Sequence, residues 1–273
     1  MRIFFNASLP RSGGTLLQNV LAQHSNIYPT SASILLDFVS AAKETFVHMM
    51  QYVHPDEASI TKEAFLQFNR AGIRSYVDTF TDRPYFLDKH FAWLHYYTFL
   101  KQIDNLSPKI IVMVRDLRDI VCSFEENYRK DPLKFNMHVN WNTFENTSMQ
   151  KRVETWLNSS PLGTSLEHVR DAVNLKHDIL FIRYEDFCQN PLPEMAKIYN
   201  YLGLPFWMHD FQGIKQVTQY NDVIHFANHD IDKDVKVKPS RAIDVLSEDI
   251  CNQIYNQYNW YFKLFNYDTG SDN

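Results

Sequence analysis

The residues best suited to chemistry form a short run at positions 10–15, which reads PRSGGT. An apolar segment precedes this run, and apolar residues at helical spacing follow it as far as Leu21. This order predicts a strand, a tight loop and a helix. The polar residues of the run are therefore expected at the first turn of a helix.

Such a loop is suited to hold a phosphate or sulfate group. The first N–H groups of a helix have no partner inside the helix, and the helix dipole makes that end positive. Gly13 and Gly14 let the backbone approach an anion closely. Ser12 and Thr15 add hydroxyl donors, and Arg11 adds a planar fork for anionic oxygens. The alternative is a turn between a strand and a helix that carries an incidental Arg.

A second cation, Arg115, follows the continuous apolar run from Ile110 to Val114, which is typical of a central parallel strand. Ser123 lies farther along the helical pattern that begins at Asp116, so both side chains are placed to meet one anion. Asp116 also fits the metal-holding acid of a nucleoside-triphosphate enzyme. The PRSGGT run lacks the Lys of the corresponding phosphate loop, which disfavours that alternative.

Lys89 and His90 end a third predicted strand, which begins near Pro84. Polar groups at the carboxyl end of a strand face the ligand crevice of an open parallel sheet. These two residues are therefore candidate site residues, and an ordinary exposed strand end is the alternative. A further buried strand runs from Asp178 to Tyr184.

The elements that must position these residues are strands that alternate with helices. They predict one α/β domain over residues 1–273, with an open, mostly parallel sheet flanked by helices. Residues 131–147 are predicted to form a loop in which His138, Trp141 and Phe144 could line a substrate site. The predicted helices that follow the phosphate loop begin at Ser33 and Thr61, and the last helix runs from Ser247 to Phe265.

Composition excludes several classes of protein. The net charge of −5 argues against generic nucleic-acid binding, and the three isolated cysteines fit neither a disulfide framework nor a zinc site. No apolar run is long enough to span a membrane, and the phosphate loop leaves no room before it for a signal peptide. The expectation is a cytoplasmic protein in a reducing compartment, without a metal.

Three motifs in this order resemble the sulfotransferases that use 3′-phosphoadenosine 5′-phosphosulfate (PAPS). They are the PRSGGT loop, Arg115 with Ser123, and the IRYED run that ends a strand at positions 182–186. The loop is most similar to that of tyrosylprotein sulfotransferases and their bacterial relatives. The resemblance implies a P-loop-like fold in which Arg11 to Thr15 bind the 5′-phosphosulfate, while Arg115 and Ser123 bind the 3′-phosphate.

The resemblance also assigns residues late in the chain. Tyr184 matches a strand-end Tyr near the nucleotide. The segment from Val237 to Arg241 resembles a loop that closes over the cofactor. The candidate phosphate contacts near it are Lys236, Lys238, Ser240 and Arg241.

The chain departs from the family at the catalytic base. Tyrosylprotein sulfotransferases place a Glu after the phosphate-loop helix, where this chain has no carboxylate until Asp37. Cytosolic sulfotransferases use a His two residues after a Lys, and here the spacing is one shorter. His90 is therefore the first expected base and Asp37 the second, with Lys89 or Arg11 at the bridging oxygen. If neither base acts, the resemblance implies a divergent or inactive member.

The function implied is transfer of a sulfuryl group from PAPS to a hydroxyl or amine. The acceptor classes left open are a phenol, a tyrosyl peptide, a sugar or a lipid, since aromatic walls stack on all of them. The aromatic residues considered for such walls are Trp93, Tyr96, Phe135 and Trp141. A P-loop kinase and a non-catalytic nucleotide binder are the alternatives.

Overall fold

A central sheet of five parallel strands organises the molecule. The structure, a computed structural model, describes residues 1–104, 108–132, 147–220 and 230–267. The strands are β1 (Arg2–Asn6), β2 (Ile27–Pro29), β3 (Tyr85–Lys89), β4 (Ile110–Val114) and β5 (Ile179–Arg183). Their order across the sheet is β2-β3-β1-β4-β5, with every pair parallel. The predicted α/β fold with an open parallel sheet is confirmed.

The register of the strands brings the candidate residues to one edge. Asn6 of β1 pairs with Lys89 of β3, and Val114 of β4 pairs with Arg183 of β5. Since all strands run the same way, the segments that follow them leave the sheet on the same side. The phosphate loop, Lys89, Arg115 and Tyr184 therefore gather at the carboxyl edge of the sheet.

Helices cover both faces of the sheet. Those in the first half of the chain are α1 (Gly14–Leu21), α2 (Leu35–Met49), α3 (Ala58–Phe80), α4 (Tyr97–Asp104) and α5 (Leu117–Lys130). Those in the second half are α6 (Met149–Asn158), α7 (Leu162–Asn174), α8 (Tyr184–Gln189), α9 (Pro191–Leu202), α10 (Ala242–Leu246), α11 (Glu248–Gln257) and α12 (Asn259–Leu264). Short 3₁₀ helices occupy Met50–Tyr52, Pro55–Glu57 and Phe91–Tyr96.

The core has two parts because side chains alternate along each strand. Val112 and Val114 of β4 face a large apolar cluster with α2 to α7 and the last three helices. Ile111 and Met113 of the same strand face a smaller cluster with α1, α8 and α9. The whole of β4 is buried, as its continuous apolar sequence predicted.

Several predicted boundaries differ from the structure. The helix predicted from Thr61 begins at Ala58, and the helix predicted over 247–265 is interrupted at Tyr258. Strand β2, only three residues long, was not predicted. The predicted loop residues Phe135, His138, Trp141 and Phe144 lie outside the residues that the structure describes. Within those residues, no helix combines the length and apolarity needed to cross a membrane.

Candidate active site

The PRSGGT run forms a tight turn between β1 and α1. Gly13 caps α1 with φ at 90°, a left-handed conformation that favours glycine. A Cβ atom on Gly13 would lie 2.6 Å from the ring of Tyr184, and one on Gly14 would lie 2.6 Å from Cβ of Ser8. Neither position has room for a side chain, so both glycines are needed for this path of the backbone.

Buried polar side chains hold the turn in place. Ser12 is fully buried, and its hydroxyl lies 2.7 Å from the carbonyl oxygen of Leu9 and 2.8 Å from that of Met113. Its single proton is thus used inside the protein, to fasten the loop to β4. Asn6, also fully buried, donates to the Gly14 carbonyl at 3.2 Å and accepts from the Ser8 N–H at 3.0 Å. Asn6 was not among the residues predicted from the sequence.

Lys89 reaches from the end of β3 to the start of α1. Its Nζ donates to Thr15 Oγ1 at 2.8 Å and to the Tyr220 hydroxyl at 2.8 Å. Burial, assisted by the positive charge of Arg11, lowers the pKa of Lys89 to about 7. The predicted residues Lys89, Thr15 and Arg11 therefore meet in one place. Tyr220 joins them, although no sequence pattern pointed to it.

Arg115 and Arg11 form a second group beside the loop. Nε of Arg11 donates to Ser123 Oγ at 3.0 Å, and Nη1 of Arg115 donates to the Arg11 carbonyl at 3.3 Å. The guanidinium of Arg115 lies 4.7 Å from the centre of the Tyr184 ring. Four residues that the resemblance assigns to the nucleotide are thus neighbours: Arg11, Arg115, Ser123 and Tyr184.

The Nε atom of Arg115 is buried and has no hydrogen-bond partner among the described residues. Other polar groups of Arg115 have partners. Its Nη2 lies 3.9 Å from Asp119 Oδ2, its backbone N–H donates to the Tyr261 hydroxyl at 3.3 Å, and its carbonyl accepts from that hydroxyl at 2.8 Å. A buried guanidinium N–H without a partner is costly unless an acceptor is supplied. A phosphate oxygen is the natural acceptor for it.

The segment from Val237 to Arg241 contacts the site through Ser240. Its hydroxyl donates to Asp119 at 2.5 Å, which places it beside the Arg115–Asp119 pair. The cationic groups of Lys238 and Arg241 instead pair with carboxylates, Lys238 with Asp232 at 2.5 Å and Arg241 with Glu126 at 2.7 Å. Lys236 is exposed. Of these four candidates, the structure brings Ser240 to the Arg115 group.

His90 caps the 3₁₀ helix that follows β3. Its Nδ1 accepts the backbone N–H of Ala92 at 3.2 Å. In the neutral ring the proton therefore lies on Nε2, and neither nitrogen has a free lone pair. Burial lowers the pKa of His90, while the charge of Asp37, an exposed residue in the first turn of α2, acts in the opposite sense.

Asp88, next to Lys89, is a buried carboxyl group that the sequence reasoning missed. Its side chain is 0% exposed, and Oδ2 accepts from the indole N–H of Trp93 at 2.8 Å. Burial raises the pKa of Asp88 to about 6. An acidic residue inside an apolar strand was the available signal. Within the described ranges, no three His, Cys, Asp or Glu side chains are grouped to hold a metal ion.

The amino-acid sequence is similar to those of known sulfotransferases. A family model described as "Sulfotransferase family" matches residues 4–210. Human carbohydrate sulfotransferase 1 is 29% identical over 123 residues, which are 42% of this chain and 28% of that protein. Rat sulfotransferase 1A1 is 27% identical over 143 residues, 51% of this chain and 45% of that protein. The matched regions thus span less than half the length of these relatives.

Solved structures with a similar fold include a sulfotransferase domain from the curacin biosynthetic pathway. It has a TM-score of 0.58 and 16% identity, covering 94% of this chain and 96% of that one. The mouse sulfotransferase SULT7A1 complexed with PAP has a TM-score of 0.51 and 16% identity, covering 99% of this chain and 84% of that one. At this identity the likeness concerns the fold.

Proposed function

The chain belongs to the sulfotransferase family, and on that premise we propose that it transfers a sulfuryl group from PAPS to a hydroxyl or amine of an acceptor. The observation that carries the proposal is the buried, unpartnered Nε of Arg115, which lies beside a glycine loop at a helix start. The two features offer two anion sites at one edge of the sheet. A nucleotide with phosphate groups on both its 3′ and 5′ positions matches that arrangement.

We assign the donor contacts as follows. The 5′-phosphosulfate is held by the first N–H groups of α1 together with the side chains of Arg11 and Thr15. Ser12 supports the loop through its hydrogen bond to the Met113 carbonyl. Arg115 and Ser123 hold the 3′-phosphate, with Tyr184 against the guanidinium. The Arg11 side chain, which bonds to Ser123, couples the two anion sites.

The chemistry rests on charge placement. When PAPS is bound, it supplies a sulfuryl group whose bond to the 5′-phosphate oxygen breaks as the acceptor oxygen or nitrogen bonds to sulfur. The protonated forms of Lys89 and Arg11 stabilise the negative charge that develops on the 5′-phosphate side, because both are fixed in position before the reaction. Thr15, which contacts Lys89 Nζ, fixes the ammonium against the loop.

The acceptor must lose a proton, and His90 is the proposed recipient. The ring must first release the Ala92 N–H, so that Nε2 can present a lone pair. The negative charge of Asp37 favours the imidazolium that results. Lys236, Lys238 and Arg241, together with Ser240, remain proposed contacts of a segment that folds over the donor.

The test is calorimetric titration with 3′-phosphoadenosine 5′-phosphate (PAP) and, separately, with ATP plus magnesium. Wild-type protein is expected to prefer PAP, and Arg115→Ala is expected to lose most of that affinity. Arg170→Ala, which alters an exposed arginine on α7, is the matched control and is expected to bind like wild type. Tighter binding of ATP with magnesium, unaffected by Arg115→Ala, would overturn the proposal in favour of a kinase. Normal PAP binding without transfer to any acceptor would make the protein a nucleotide binder.

A further inference from the structure

A cleft of about 440 Å³ lies along the open edge of β2, outside the donor contacts described above. Strand β2 ends the sheet, so one of its edges pairs with β3 and the other faces this cleft. Its volume falls in the range of about 300–1,000 Å³ that small-molecule sites occupy. The cleft is therefore large enough for a ligand of one or two rings.

One end of the cleft, at the carboxyl end of β2, adjoins Lys89. Ser33, which lines the cleft, donates its N–H to the Lys89 carbonyl at 3.3 Å. Thr30, also in the lining, accepts the Lys89 N–H on its hydroxyl at 2.8 Å. Gln219, also in the lining, donates its N–H to Ser31 Oγ at 2.7 Å and directly precedes Tyr220, whose hydroxyl accepts from Lys89 Nζ. A ligand in the cleft thus has one end beside the backbone of Lys89, the residue whose side chain belongs to the proposed transfer site.

The long wall of the cleft is aromatic. Phe80 lies 5.0 Å from Tyr76 and 6.2 Å from Tyr28, measured between ring centres, and all three rings line the cleft. Phe38 continues the row, 6.2 Å from Tyr76. Phe38 and Phe80 are 58% and 47% exposed, so this row of neighbouring rings presents apolar surface to solvent. Exposed rings in a row favour a flat apolar ligand.

The other end of the cleft, at the amino end of β2, carries a cation. Arg83 is the one charged side chain among the described residues of the lining, and no described carboxylate pairs with it. Its Nη1 donates to the Ile27 carbonyl at 2.7 Å, which fixes the guanidinium at the start of β2, 5.9 Å from the centre of the Tyr28 ring. The remaining N–H donors suit a carboxylate or a similar anion.

We propose that this cleft is the acceptor site and that it selects an aromatic hydroxy acid, with the hydroxyl at the Ser33 end and the anionic group on Arg83. Ile27, which Arg83 contacts, pairs with Tyr85, and Ser33 bonds to Lys89, so the two ends are four residue steps apart along β3. Four steps span about 13 Å, which one ring with a short acidic arm can cover with a hydrogen bond at each end. The assignment of the cleft to the acceptor rests on the function proposed above. Arg83 would then determine specificity by charge, and the aromatic row by shape.

The experiment compares 4-hydroxyphenylacetate with its neutral amide, by calorimetric titration of the free protein and of the protein saturated with PAP. Wild type is expected to bind the acid at least tenfold more tightly than the amide. Arg83→Met is expected to remove this preference while it leaves binding of the amide unchanged. Phe80→Ala is expected to weaken both compounds, and Arg170→Met serves as the matched control for the loss of a surface arginine.

The outcomes separate this inference from the proposed function, because PAP is titrated independently. If PAP binds and the acid shows no preference that depends on Arg83, the cleft proposal is wrong and the donor site stands. If the acid binds through Arg83 and PAP does not bind, the cleft is a ligand site but the sulfotransferase function fails. Unfolding curves of each variant show whether a loss of binding reflects a loss of structure.

Discussion

At the scale of single residues, Lys89 has the most informative environment. Its ammonium group donates to the hydroxyls of Thr15 and Tyr220. Burial and the positive charge of Arg11 both lower its pKa. A group held in this way gives up its proton easily until an anion arrives. The protonation of Lys89 is thus expected to depend on the donor.

Binding of PAP is predicted to be coupled to proton uptake by Lys89. The pKa of Lys89 is about 7 in the free protein, so at about pH 8.5 the group is mostly neutral. A bound phosphate raises that pKa, and the complex takes up close to one proton. Calorimetric titrations in buffers of different ionisation enthalpy measure the uptake. Lys89→Met should abolish it, and an uptake that persists in this variant would assign the proton to another group.

His90 is predicted to act as a base and not only as a helix cap. In His90→Asn the side-chain carbonyl still accepts the Ala92 N–H, but it cannot take a proton. In His90→Ala both roles are lost. If His90 is the base, both variants lose about 10²–10⁴-fold in turnover. Release of PAP from PAPS with 4-hydroxyphenylacetate as acceptor is the measurement. Full activity of the Asn variant would reduce His90 to a cap.

The sequence allowed part of this site to be predicted and not the rest. Arg11 and Arg115 could be predicted to lie close together because each follows a strand, and the segments after parallel strands leave the sheet at one edge. Ser123 lies on the helix that follows Arg115. Tyr220 was not predictable, since it follows a long irregular segment whose path depends on tertiary contacts. The hydrogen bond from the Ala92 N–H to His90 Nδ1 was not predictable either, because it depends on a local turn that the spacing of apolar residues does not indicate.

At the scale of elements, helix α5 must be held firmly, since it carries Asp119 and Ser123. A buried ion pair fixes it to α6. Arg152 contacts both carboxylate oxygens of Glu125, at 2.6 and 3.0 Å, and Glu125 is fully buried. Arg129 contacts the same carboxylate at 2.8 Å from a half-exposed position.

Loss of Arg152 is therefore predicted to destabilise the protein far more than loss of Arg129. Arg152→Met leaves a buried charge with its main partner gone, which costs about 3–5 kcal/mol of unfolding free energy. Arg129→Met removes a contact screened by solvent and should cost about 0–1 kcal/mol. Denaturation in urea measures both changes. Equal costs would mean that the Arg152 contact is no more important than the exposed one.

The order of elements along the chain was more predictable than their ends. Strand β4 was clear because its residues are buried on both faces and form one apolar run. Strand β2 was missed because three residues at the sheet edge provide no periodicity. At the break between α11 and α12, the Tyr258 hydroxyl donates to the Leu157 carbonyl at 2.9 Å, a contact with a residue far away in sequence that a local pattern does not indicate.

At the scale of the whole molecule, the last helices support the proposed nucleotide site. The hydroxyl of Tyr261, a residue of α12, bonds to both backbone groups of Arg115. Tyr267 bonds to Glu185, which in turn accepts the N–H of Asp116. The strand end that carries Arg115 is thus fixed from a distant part of the chain.

Tyr261→Phe is predicted to weaken PAP binding by about tenfold, because Arg115 loses two backbone hydrogen bonds, each contributing about 0.5–1.5 kcal/mol. Tyr258→Phe is the control, since the hydroxyl it removes bonds to Leu157. Both variants should lose some stability, and only the first should lose affinity in calorimetric titration with PAP. Similar affinities in the two variants would show that Arg115 needs no support from α12.

The contact between Tyr261 and Arg115 also has a consequence for synthesis of the protein. The two residues are 146 positions apart, and at about 5–20 residues per second a ribosome needs roughly 7–30 s to pass from one to the other. During that interval the nascent chain already has its phosphate loop and Arg115, but not the residue that orients Arg115. The proposed affinity for PAP is therefore expected to arise late in translation, when α12 has left the ribosome and packs against the sheet.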